Sequence, residues 1–286
     1  MKPAVLVALL MTGCSIRQLT IDTTADLVDE GSRAFDAEAD VEIARSAAPG
    51  QIKQLEGLLV PAPRHRTLLA MAARALLEYT FGFVEEDLES LPEGDGAARR
   101  ATIARATALY DRAFLYAVRH LETFDPRIRA AIAEGGARLE AAVTKLPKEA
   151  LPGLAYGGMA LASSVNINRG DPARVADLPR ARALVERAYA LDPKFYLGGP
   201  AMVLGMLAAQ RGERERARAY FEEAIAVSGG KYLLPRVMRA RTLLGEKAQE
   251  KELEGILAEP HDIYPEARLA NEMARRRAER SLAKFR

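Results

Sequence analysis

Residues 204–234 read LGMLAAQRGERERARAYFEEAIAVSGGKYLL. Within them Leu204, Gly205, Ala217, Phe221 and Ala224 stand at the spacing expected of two antiparallel helices pressed together. The small residues let the backbones approach, and Phe221 fills the space beside them. Ser228-Gly229-Gly230-Lys231 reads as a helix end followed by a new helix. It is not a phosphate-binding loop, because the first glycine of that motif is missing and Tyr232 follows the lysine.

The same pattern extends upstream. Ala181, Val185, Ala188 and Pro193 match its second half, and Asp125-Pro126, Asp192-Pro193 and Glu259-Pro260 recur every 67 residues, each after an apolar helical segment. That interval is nearly twice the roughly 34-residue period of a tetratricopeptide helix pair. The repeats are degenerate: Ala201 and Ala208 stand where Trp and Tyr are expected, and an insertion over residues 168–179 separates the helices of the preceding unit. The expected fold is all-α, with antiparallel helix pairs of degenerate tetratricopeptide type forming a short solenoid or a closed bundle.

The rest of the chain also reads as helix. Thr23-Thr24-Ala25-Asp26 fits a capping box opening a helix towards Ala48, which Pro49-Gly50 would stop. Leu68, Leu69, Ala72, Leu76 and Tyr79 mark a helix from about Arg64 to Leu88. After Gly94-Asp95-Gly96, another helix carries Leu109, Ala113, Tyr116, Ala117 and Leu121 as far as Asp125-Pro126. No run alternates β-branched and polar residues as a strand would. Hydrophobic residues make up 49% of the chain, yet there is no Trp, so the core must rest on Ala, Leu and Val.

Cys14, the one cysteine, follows the apolar run Pro3 to Leu10 and the small residues Thr12-Gly13. This layout, with Lys2 ahead of it, is that of an export signal, and a cysteine at the first mature position resembles the lipid attachment site of a bacterial lipoprotein. Expected boundaries are a signal over 1–13, a lipidated tether over 14–22 and one helical domain over 23–286. Ser15 after the cysteine favours an outer-membrane destination by analogy with such lipoproteins.

Chemistry is sparse. His65, His120 and His261 are scattered, with no close ligand spacing, and read as surface or half-buried residues, so no metal or other cofactor is expected. No nucleophile motif or paired acid and base stands out, which argues against an enzyme. Arg105, Arg112 and Arg119 form a seven-residue stripe that reads as a solvated flank pairing with acids such as Asp111 and Glu122. Arg275, Arg276, Arg277, Arg280, Lys284 and Arg286 crowd the last turns, where cations suit the helix dipole. A net charge of +2 carries no field for nucleic acid.

Four segments, 105–122, 163–193, 204–234 and 266–285, taken in order, resemble the T component of TRAP (tripartite ATP-independent periplasmic) transporters. The resemblance implies a periplasm-facing, lipid-anchored helical protein that docks the P component, the soluble substrate-binding protein, and has a hand in handling hydrophobic ligands or delivering organic acids. It departs from that family in lacking tryptophan near residues 154–164, where Tyr156 and Met159 would border any pocket. Candidate partner- or ligand-binding residues are Tyr156, Asn166, Asn168, Tyr196, Tyr232, Arg236, Arg268 and Asn271, although Asn166 and Asn168 also suit helix caps, Tyr196 and Tyr232 also suit wedges between repeats, and Arg268 also suits pairing with Glu272. Two alternatives stand beside docking. One is a carrier of a small apolar ligand, built on Tyr156, Met159, Met202 and Met206. The other is a repeat scaffold for outer-membrane assembly or secretion. Self-association is expected if the repeat ends are left uncapped, and the charged terminal helix is the alternative cap.

Overall fold

The structure is a computed structural model that describes residues 3–92 and 94–285, with side chains described from residue 19 onward. Cys14 falls outside the described side chains. Helix α1 (Pro3–Asp36) is followed by α2 (Val41–Leu59), α3 (Arg66–Tyr79), a π turn (Thr80–Val84) and α4 (Glu85–Ser90). Next come α5 (Gly96–Glu122), α6 (Ile128–Glu134), α7 (Gly136–Thr144) and α8 (Leu151–Ile167), then α9 (Pro172–Val175) and α10 (Leu178–Leu191). The chain finishes with α11 (Phe195–Gln210), α12 (Arg214–Ala226), α13 (Leu234–Leu243), α14 (Glu246–Ala258) and α15 (Arg268–Leu282). No strand occurs among the described residues, and the fold is all-α.

Helices neighbouring in sequence pack in succession, α2 on α3, α11 on α12, α13 on α14, while α8 is wedged between α5 and α10. That wedge explains the composition of residues 151–167. A helix apolar on every side must be buried on every side, and a Cβ on Gly158 would stand 2.6 Å from Val185 Cγ2 and 3.0 Å from its backbone nitrogen. The opening stretch folds into the α11–α12 hairpin. A Cβ at Gly205 would lie 3.0 Å from the ring of Phe221, which is fully buried with Ala217 and Ala224. Helices α5, α10 and α14 end three, one and one residues before the Asp-Pro or Glu-Pro pairs spaced 67 apart.

Several expectations are overturned. The helix does not open at Thr23: α1 runs through it, and the Thr23 and Thr24 hydroxyls donate back to the carbonyls of Leu19 and Thr20 at 2.9 and 2.8 Å. The working cap lies further on, at Asp40, whose carboxylate accepts from the amides of Glu42 and Ile43. Pro49-Gly50 does not stop a helix either, since α2 continues past both. Proline removes one hydrogen bond, but Ala44, Ala48, Ile52, Leu55 and Leu59 bury one continuous face, and that burial outweighs the lost bond. His120 is not at the surface but 2% exposed, stacked edge-on against Phe124.

The arginines also sit elsewhere than expected. Arg112 pairs with Glu56, Arg105 donates to the Tyr79 hydroxyl and Arg119 to the Pro63 carbonyl, while Asp111 and Glu122 pair with Arg174 and Arg129. In α15, Arg275 is buried and donates to the carbonyls of Ile256, Leu257, Glu259 and Pro260, so it caps the end of α14 rather than its own helix. Arg276 pairs with Glu42 at 2.9 Å, Arg280 with Glu86 at 2.7 Å, and buried Arg277 donates to the Phe81 carbonyl and Glu89. These contacts close the molecule by joining its last helix to α2 and α4.

Candidate functional site

Closure leaves a cavity of about 620 Å³ inside the molecule. Its wall is drawn from α1, α2, α3, the π turn, α4, α8, α11, α13 and α15. Most of that wall is apolar, and it includes Met159, Met202, Met206, Met238 and Met273. Thioether chains are unbranched and polarisable, so such a wall adapts to irregular apolar guests.

A polar cluster interrupts the apolar wall. Arg74 Nη2 donates to both oxygens of Asp36 at 2.7 and 2.8 Å, and its Nε donates to Glu78 at 2.7 Å. The Tyr196 hydroxyl donates to the same Glu78 oxygen at 2.7 Å. The rings of Tyr156 and Tyr196 meet at 88° with centroids 5.4 Å apart, and Phe195 backs Tyr156 at 5.6 Å. Burial pushes the Asp36 carboxyl up from its ordinary value, the neighbouring Glu78 charge adds to this, and Arg74 opposes it. Glu78 in turn holds the Arg74 guanidinium firmly charged.

Tyr196 reaches this position through an unusual backbone. Tyr196 (φ 50°), Leu197 (φ 52°) and Gly198 (φ 80°) form a left-handed turn at the head of α11. Left-handed backbone costs a non-glycine residue about 1–2 kcal/mol. The hydroxyl anchor on Glu78 and the partly buried Leu197 side chain hold the turn in place.

Tyr156 and Tyr232 complete the cluster. They are 8% and 5% exposed, both line the cavity, and neither phenol has a hydrogen-bond partner among the described residues. Burial raises both phenols above their ordinary range, with Glu78 and Arg74 the nearby charges acting on each. Elsewhere along the wall, Glu85 and Glu89 face Arg241 and Arg277, and the Tyr110 hydroxyl donates to Glu85. Burial raises the Glu85 carboxyl, against the pull of Arg277.

Of the residues singled out from sequence, Tyr156, Asn166, Tyr196 and Tyr232 line this cavity together. The others do not reach it. Asn168 ends α8 and donates to Ser164 O and Thr107 Oγ1, both at 2.8 Å. Arg236 ties α13 to Glu252 and Glu259. Buried Asn271 accepts from the Leu233 amide and donates to the Lys231 carbonyl, each at 2.9 Å. Arg268 makes no ion pair with Glu272 among the described residues; Glu272 bonds to His261 instead. Sequence reasoning missed Asp36, Arg74, Glu78, Met238 and Met273. A signal for two of them existed: Arg74 and Glu78 are a charged pair, four residues apart, within residues 67–84, a stretch that carries no other charge.

Among curated proteins, an uncharacterized protein of Treponema pallidum (strain Nichols) is similar, 26% identical over 234 residues that cover 75% of this chain and 72% of that protein. A family model described as the TRAP transporter T-component matches residues 37–285, which takes in α2 to α15 and all of the cavity wall except Phe35 and Asp36. By that match the chain belongs to the TRAP transporter T-component family.

Proposed function

We propose that the protein is held by lipid on Cys14 at the periplasmic side of a bacterial outer membrane, as one helical domain over residues 23–286 with degenerate tetratricopeptide hairpins. There it docks the periplasmic substrate-binding P component of a TRAP transporter. Family membership carries this reading: it gives an accessory, non-enzymatic role in TRAP transport and a membrane-associated, periplasm-facing location. Docking and the lipid anchor are the finer steps proposed here. Rigid helix pairs present many side chains on one surface, which suits protein binding without cofactor chemistry. Detergent-solubilised protein, drawn from its native membrane, should bring down a periplasmic substrate-binding protein. Recovery of secretion or barrel-assembly proteins in its place overturns docking and favours a scaffold.

The cavity supports a second activity, that of a carrier for a small apolar or amphiphilic ligand, with Tyr156, Tyr196 and Tyr232 as contacts. A volume of about 620 Å³ falls in the range of small-molecule sites, roughly 300–1,000 Å³. Native mass spectrometry of protein purified from its source membrane should show a retained ligand, and solvent extraction should release it. A mass equal to the bare lipidated chain under gentle ionisation counts against the carrier reading.

A further inference from the structure

The charges along the cavity wall do not balance at its aromatic corner. Glu85 and Glu89 are answered by Arg277 and Arg241, but Asp36 and Glu78 share the single guanidinium of Arg74. A carboxylate brought to that corner meets a carboxylate excess and no free cation. The remaining basic residue on the wall, Arg169, is exposed and bonded to Asn166, where water screens it. A cation brought to the same corner relieves the excess.

Two further observations favour a cation. Tyr156 and Tyr196 set their rings at right angles, with Tyr232 on the same wall, and aromatic walls attract alkylammonium groups through the negative charge of the ring faces. The Tyr156 and Tyr232 phenols line the cavity and make no hydrogen bond to the protein among the described residues, so their oxygens are free to accept from a guest. An ammonium N–H donates to a phenol oxygen, and the methionine side chains of the same cavity receive an apolar tail.

We propose that the cavity is selective for a cationic amphiphile, an amine with an apolar tail whose ammonium group sits among Asp36, Glu78, Tyr156 and Tyr232. This rests on the reading that the cavity holds a ligand. Net charge does not produce the same preference, because the chain carries +2 and attracts anions overall.

The test uses the full chain and three probes with one tail and three heads: decylammonium, decanol and decanoate, below their micelle concentrations, by isothermal titration calorimetry at neutral pH. Decylammonium should bind about tenfold tighter than decanoate, a difference of about 1.4 kcal/mol, with decanol between them. Asp36→Asn, which leaves Arg74 paired with Glu78, should erase the preference. Tyr232→Phe, a milder change that removes only a phenol oxygen, should weaken decylammonium several-fold and decanol by less, because a charge-assisted hydrogen bond is the stronger one. Decanoate binding as tightly as decylammonium, or a preference that survives both substitutions, overturns the proposal while the carrier reading stands. Absence of binding by all three probes overturns the carrier reading and the proposal with it.

Discussion

At the scale of single residues, several polar side chains sit where no solvent reaches them, and each has a measurable consequence. Asn271 closes two hydrogen bonds to the loop ahead of α13. Asn271→Ala strands the buried Leu233 amide and leaves the partly buried Lys231 carbonyl without this donor, and should lower stability by about 1–3 kcal/mol in urea unfolding. His120 behaves differently, since burial first and the Arg66 charge second hold its native pKa down at about 4, against the ordinary 6.5. As pH falls, the unfolded chain takes up this proton before the native one does. The stabilising contribution is therefore complete above pH 6.5 and lost between 6.5 and 4, on the order of 3 kcal/mol in all. Asp36 and Glu85, raised by burial, act in the opposite direction, so the check is the difference between wild type and His120→Gln in urea midpoints across that range. That difference should flatten above pH 6.5. In Gly205→Ala the new methyl presses on Phe221 and should cost about 1–3 kcal/mol in thermal unfolding. Tyr156, Tyr196 and Tyr232 are visible in the sequence as candidates because buried aromatics with a polar tip are informative wherever they occur. Asp36 is not, because its partner Arg74 lies 38 residues away.

At the scale of elements, periodicity located α3 and α5, because each buries one face at three- and four-residue steps, and the spacing of Gly205, Ala217, Phe221 and Ala224 located the α11–α12 hairpin. It misplaced the ends of α1 and α2. A threonine pair followed by an acid satisfies a capping pattern, but a hydroxyl inside a helix can donate to the carbonyl one turn back, and here it does. The two interpretations differ in energy. Thr23→Ala should change stability by less than about 0.5 kcal/mol, as at an ordinary exposed helix site. Asp40→Ala removes a cap that accepts two amides and should cost about 1 kcal/mol. Thermal unfolding of the two variants side by side checks the assignment. The π turn at Thr80–Val84 has no sequence signature of its own. It places the Phe81 carbonyl where Arg277 donates to it, and that partner lies 196 residues away.

At the scale of the whole molecule, a solenoid and a closed bundle can be built from the same hairpins, and local pattern does not choose between them. The choice is made by α15, whose arginines bridge to Glu42, Glu86 and Glu89. A chain ending at residue 267 should retain most of its helix by circular dichroism yet lose the cooperative single unfolding transition, with intrinsic tyrosine fluorescence and helix signal no longer changing together. Coincident transitions in the truncated chain would show that closure is not what unites the halves. Closure also has an order in time. The hairpins are made of contacts between neighbours in sequence, whereas the last helix meets residues 188 to 234 positions before it, and contacts of such long range form late. Until the final helix arrives the cavity lacks one wall, so the space itself is among the last features of the molecule to be completed.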